Sequence, residues 1–258
     1  SNLGGYRSSA AFDNLGEIQE HWYTLTAPRW PEMVLGNIDP KKRIEGEKLY
    51  AQHCIACHEL SDENDPKRQL HAVKTPLEQI GTDARMVENF LQSEADSGAF
   101  KGQKLFKFAG PEIGERAPSI QLVAHATIGA LLEHPVEAVR AGIRSSHHVA
   151  TSALDDHPNY YKARPLSGIW SSAPYLHNGS VPNLAELLSA PEKRVSRFSI
   201  GDIEFDVQNV GFPATVSASP NTFLFDATVA GNRNTGHEYG TQLTPSEKTH
   251  LIEYLKSL

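Results

Sequence analysis

Cys54-Ile55-Ala56-Cys57-His58 places both cysteines of this 258-residue chain in one short run, with a histidine directly after the second. The pattern C-x-x-C-H is the attachment signature of c-type haem. Two thiols three positions apart on the first turn of a helix can each add across one haem vinyl group. The adjacent His58 is then held under the ring, where its imidazole can bind the iron as proximal ligand. A thioredoxin-like dithiol would need a strand before it and a βαβ pattern around it. Here a helical segment precedes the motif. A structural zinc site would need a second ligand pair, and the chain has no further cysteine. The residues therefore point to one covalent haem c, with Cys54 and Cys57 as attachment points and His58 on the iron.

The opposite axial position decides what such an iron does. Two strong axial ligands make an electron carrier, whereas an open position admits peroxide or dioxygen. The chain has two methionines. Met33 precedes the motif, and Met86 lies on an apolar helical stripe that reads as core filling. Most of the histidines have no ligand-like context: His21, His71, His125, His134 and His157 stand among unremarkable neighbours. His53 is on the wrong side of the first cysteine, His147 and His148 fall in a polar loop, and His250 reads as exposed on the last helix. His237 differs. It sits in Gly231-Asn232-Arg233-Asn234-Thr235-Gly236-His237, where Gly and Asn supply the positive-φ turns that aim a loop side chain at a buried target. Both readings stay open at this point, an iron ligand or a turn that carries a surface histidine.

The elements that must position these residues are helical. Asp39-Pro40 is an N-cap followed by proline at the first helical position. Ile44, Leu49 and Tyr50 then share a face, and Gly46 predicts a close approach by another helix. Thr244-Pro245-Ser246-Glu247 is a capping box before the apolar stripe Leu251, Ile252, Leu255 and Leu258. Two such helices, one before the haem motif and one at the end, are what a class I cytochrome c packs together. Further helices are expected over residues 82–93 and 135–145. The alternation Phe198-Ser-Ile-Gly-Asp-Ile-Glu-Phe205 suggests a short hairpin about Gly201-Asp202. The expected fold is mostly α: a class I cytochrome c-like haem domain with long loop insertions and a short β-hairpin. Residues 1–39 read as an extension packed on the main body, and residues 40–258 as the haem domain.

Composition narrows the partners. A net charge of -7 and a pI near 5.9 argue against nucleic acid. Residues 119–132 form the longest apolar run, and Gln121 and His125 interrupt it, so no membrane span is expected. The opening Ser1-Asn2-Leu3-Gly4-Gly5, without methionine, reads as a processed or truncated start. Haem c is attached outside the bacterial cytoplasm, so an exported, periplasmic protein is expected.

Arg164-Pro165-Leu166-Ser-Gly168-Ile-Trp170-Ser-Ser-Ala-Pro174-Tyr175-Leu176-His177-Asn178-Gly179-Ser180 resembles the C-terminal haem domain of di-haem cytochrome c peroxidases. The closing Gly-His-Glu-Tyr-Gly segment and capped helix resemble the end of the same domain, over residues 40–258 in all. Where many relatives carry methionine, His237 resembles the rubber-oxygenase branch, whose C-terminal haem is held by two histidines. The resemblance implies His58 and His237 as axial ligands. It implies Arg164 and Trp170 at the haem edge, with Arg164 on a propionate. Tyr175 and His177 would stand beside the haem, although a satisfied loop histidine is an equal reading for His177. The family carries two C-x-x-C-H motifs and this chain one, so the chain reads as a fragment of a larger enzyme or as its electron-transfer half. The expected function is electron transfer through a His/His iron, at a lower potential than a His/Met iron, to another haem centre or a small redox protein. The alternative is a mono-haem peroxidase or oxygenase with an open or displaceable sixth position, with His147, His148 or Glu238 for acid–base work. A haem domain that only recruits partners is the third reading. No catalytic residue is assigned.

Overall fold

The computed structural model describes residues 3–62, 64–65, 68–144, 150–151, 159–201 and 204–258. His147, His148 and His157, and the turn residue Asp202, lie outside the described residues. In chain order the elements are α1 (Phe12–Thr24), α2 (Glu32–Leu35), α3 (Pro40–His53), β1 (His71–Pro76), α4 (Leu77–Ile80) and α5 (Arg85–Gln92). There follow β2 (Glu94–Asp96), β3 (Arg116–Pro118), α6 (Ser119–Glu133), α7 (Pro135–Arg144), β4 (Ala150–Thr151) and β5 (Tyr160–Ala163). The chain closes with α8 (Leu184–Leu187), β6 (Arg197–Ile200), β7 (Phe223–Asp226) and α9 (Pro245–Lys256). They form two compact units: residues 1–26, 65–67 and 86–148, and residues 27–64, 68–85 and 149–258. This division differs from a single boundary after residue 39, because residues 27–39 pack within the unit that carries the haem motif.

In the first unit α1 packs on α7, and β2 pairs antiparallel with β3. Leu105, Ile113, Ala117 and Leu122 form its buried cluster. Gly129 on α6 leaves room for the Tyr6 ring, whose hydroxyl lies 2.5 Å from His125 Nε2. His125 Nδ1 is 2.8 Å from the Leu105 carbonyl, so this fully buried histidine is satisfied on both nitrogens. Met86 is 52% exposed rather than core filling.

The second unit is organised by α3 against α9. Asp39 caps α3 by accepting from the amides of Lys41 and Lys42, and Pro40 occupies the first turn. Thr244 and Glu247 complete the capping box of α9. A Cβ on Gly46 would run into the His250 carbonyl and the Tyr254 side chain, so only glycine permits this crossing. Tyr50 and Tyr254 then meet with ring centres 5.2 Å apart. Leu184, Val181, Leu251 and Leu255 fill the core between these helices and the loops.

The strands of this unit are short. β1 pairs antiparallel with β5 and parallel with β4. The turn of the hairpin expected within residues 198–205 falls partly on residues outside those described, and β6 pairs antiparallel with the distant β7. Phe198 is fully buried and stacks on Phe225 at 5.2 Å, and Arg197 bonds Asp226 at 2.9 Å. Burial of two phenyl faces outweighs the shorter loop closure that a local hairpin would need. Phe205 instead joins Trp30 and Trp170.

Candidate haem site

The C-x-x-C-H run closes α3 rather than opening a new helix. Cys54 is the C-terminal cap, its amide donating to Tyr50, and the amides of Cys57 and His58 donate back to the Cys54 carbonyl. The Tyr50 hydroxyl donates to the His58 carbonyl at 2.5 Å. These turns gather both thiols and the His58 imidazole on the wall of one cleft. Leu166, Ile169, Leu184, Leu187, Leu251 and Leu255 supply much of its apolar wall.

His58 Nδ1 lies 2.7 Å from the Arg164 carbonyl. A carbonyl only accepts, so Nδ1 carries the proton and Nε2 keeps its lone pair. Burial pushes the His58 pKa down, and the Arg164 hydrogen bond partly opposes this. Burial likewise raises the Cys54 thiol to about 11, with the Cys57 charge adding to it. The thiol is thus held neutral, as a thioether sulfur also is.

His237 faces His58 within the same cleft, with ring centres 6.3 Å apart and planes inclined by 51°. Burial, then the neighbouring His58 and Arg194, push its pKa down to about 4, so the ring is neutral at pH 7. A metal–nitrogen bond of about 2 Å to each imidazole, and about 1 Å more to each ring centre, spans about 6 Å. The separation therefore suits one metal ion between the two rings. His237 Nδ1 and His177 Nε2 are buried without a hydrogen-bond partner among the described residues. Orphans of this kind belong to sites that take a further polar partner. Two thiols, two neutral imidazoles and an apolar cleft fit a covalently held haem.

The loop that carries His237 is held by residues that the sequence did not single out. Asp83 accepts from the amides of Arg85, Gly231 and Arg233, and these bonds together with the nearby His177 more than offset burial, so its pKa lies below the usual value. Asn178 donates to the carbonyls of Gly231 and Arg233, and Ser180 donates to Arg233. The His237 amide donates to Ile80 at 2.8 Å. Gly236 lies so close to Gly81 that no side chain fits there. Arg194 donates to carbonyls of this loop as well. The polar His-Asn-Gly-Ser run was a visible signal for Asn178 and Ser180. Asp83 and Arg194 had none, because their partners are backbone groups far along the chain.

The remaining expected site residues divide. Tyr175 lines the cleft and is buried, its hydroxyl 3.1 and 3.2 Å from the carbonyls of Ile169 and Val210. His177 lines the cleft with its ring stacked 4.0 Å over Tyr161. His53 lines it too, although its position before Cys54 had argued against a role. Arg164 contributes its carbonyl, while the residue itself is exposed. Trp170 packs edge-on against Trp30 at 5.4 Å and donates to Pro28, and its neighbour Ile169 rather than Trp170 itself lines the cleft.

Residues 160–199, the stretch from β5 through the Ala-Pro-Tyr-x-His-x-Gly element to β6, match the family model described as RoxA-like, cytochrome c-like. That segment is thus similar to a cytochrome c-like domain, and a domain of that kind implies haem c. Two proteins of Sinorhizobium fredii (strain NBRC 101917 / NGR234) are similar along most of the chain. The uncharacterized protein y4iJ is 32% identical over 287 residues, covering 98% of this chain and 46% of that protein. The uncharacterized protein y4iM is 28% identical over 242 residues, covering 86% of this chain and 49% of that protein. The chain spans about half the length of the curated relatives it matches.

Proposed function

We propose that this chain is an electron-transfer haem c module of class I cytochrome c type. Cys54 and Cys57 would hold the haem, and His58 and His237 would fill both axial positions. The observation that carries this reading is the 6.3 Å separation of the two facing imidazoles across the cleft. The haem supplies one-electron chemistry at iron. The protein's part is to orient and exclude. The Arg164 carbonyl fixes the His58 tautomer and strengthens its lone pair as a donor. The apolar wall would limit water at the iron, and the looped-in His237 would supply its second imidazole. With two imidazoles in place of imidazole and thioether, the potential lies below that of a His/Met haem.

The partner is another haem centre or a small redox protein, as in a di-haem peroxidase or oxygenase of which this would be the electron-transfer half. Thioether attachment belongs outside the bacterial cytoplasm, so the module is an exported, periplasmic one. No helix among the described residues is long and apolar enough to cross a membrane. A peroxidatic role needs an acid–base group beside an open iron position. Of the groups considered for it, Glu238 is solvent-exposed and the other two lie outside the described residues.

Optical and EPR spectra of the ferric and dithionite-reduced protein test the reading, taken before and after hydrogen peroxide. A low-spin bis-histidine signature indifferent to peroxide is expected. High-spin ferric iron, or a new oxidised species formed with peroxide, would make the chain an enzyme with an open iron.

A further inference from the structure

We propose that Arg194 is the positioning residue that keeps the His237 imidazole opposite His58, and so decides whether the sixth iron position is closed to added ligands. The inference rests on the His58/His237 reading above and deepens it.

Arg194 is 6% exposed. Among the described residues its guanidinium hydrogen bonds all go to backbone carbonyls, while Glu238, Glu186 and Glu192 are near enough to favour its charge against the cost of burial. Nε donates to Ser189 at 3.0 Å, and Nη2 donates to Leu187 at 3.2 Å. Nη1 donates to Asn234 at 2.5 Å and to Gly236 at 2.9 Å, and Nη2 reaches the His237 carbonyl at 3.2 Å. Five acceptors match the five N–H groups of the fork. Two acceptors lie at the end of α8, whose residues Leu184 and Leu187 line the cleft, and three lie in the ligand loop. One planar cation therefore ties the loop to the cleft wall.

The geometry at His237 calls for such a tie. Its φ is +49°, in the left-handed region that a histidine occupies only where the surroundings over-determine it. The amide is fixed by Ile80 and the carbonyl by Arg194, so both peptide groups flanking the strained Cα are held. Burying a guanidinium is costly unless every N–H is satisfied. A lysine has three donors around a point charge and cannot span the same five oxygens.

The test uses the holoprotein and three variants: Arg194→Lys, Arg194→Met and His237→Ala. Ferric EPR gives the spin state, and stopped-flow mixing of the reduced protein with carbon monoxide gives access to the sixth position. Haem staining on a denaturing gel reports attachment, and Arg194→Lys, which keeps the stem and the charge, guards against a collapsed fold. Both Arg194 variants are expected to keep covalent haem, to gain a high-spin ferric fraction, and to bind carbon monoxide about tenfold faster or more. Added imidazole should return them to low spin. A merely structural role for Arg194 would lower the melting temperature and leave spin state and carbon monoxide rate unchanged in Arg194→Lys. That result overturns the inference. Should His237→Ala itself stay low-spin, the His58/His237 reading fails and this inference with it. Should His237→Ala turn high-spin while both Arg194 variants stay closed, only the role of Arg194 is lost.

Discussion

At the scale of single residues, the chemistry is concentrated where the local pattern is densest. Cys54, Cys57 and His58 lie within five consecutive positions, so their spacing alone announces them. Replacing both cysteines with serine should abolish the haem-stained band on a denaturing gel. Either single replacement should retain one thioether and shift the reduced α-band to longer wavelength. Trp170 makes a contrasting case. Its indole packs on Trp30 and donates to the Pro28 carbonyl, so Trp170→Phe should lower the melting temperature without moving the haem spectrum. A spectral shift in that variant would support the haem-edge role that the family resemblance implies. Arg194 and Asp83 stayed hidden in the sequence for a physical reason. A side chain that serves distant backbone groups leaves no spacing to read, since every residue type offers the same carbonyl and amide.

At the scale of elements, caps and close contacts were legible, and pairing across long loops was not. The Asp39-Pro40 and Thr244–Glu247 signals mark the starts of α3 and α9, because capping is a property of neighbouring residues. Gly46 announced the approach of a second helix, and the His250 carbonyl now fills the space where its side chain would be. Gly46→Ala should therefore cost about 1–3 kcal/mol by forcing α9 outward. Each kcal/mol corresponds to a loss of about 2–4 °C in melting temperature for a chain of this size. An unchanged melting curve would mean that the two helices do not cross at Gly46. The strand β6 shows the opposite case. Arg197 and its partner Asp226 stand 29 positions apart, and the alternation around Gly201 offered a nearer partner that the buried Phe198 and Phe225 faces overrule. The motif follows α3 directly: Cys54 caps that helix, and the Cys57 and His58 amides close one further turn on the Cys54 carbonyl rather than opening a new helix.

At the scale of the whole molecule, charge governs encounter. The chain carries a net -7, and long-range attraction of this kind is screened over about 10 Å at 0.1 M salt. Reduction by a small cationic donor should slow as ionic strength rises, and reduction by an anionic donor should quicken, each by a few-fold. Equal salt dependence for both donors would place a locally neutral surface at the haem edge. The proposed electron transfer depends on one pair of imidazoles. Its most direct test is the ferric EPR spectrum of His237→Ala beside that of the unaltered protein, with and without added imidazole. The unaltered protein should be low-spin, the variant high-spin, and imidazole should bring the variant back to low spin. A variant that remains low-spin without imidazole would contradict the account, because another residue would then hold the sixth position.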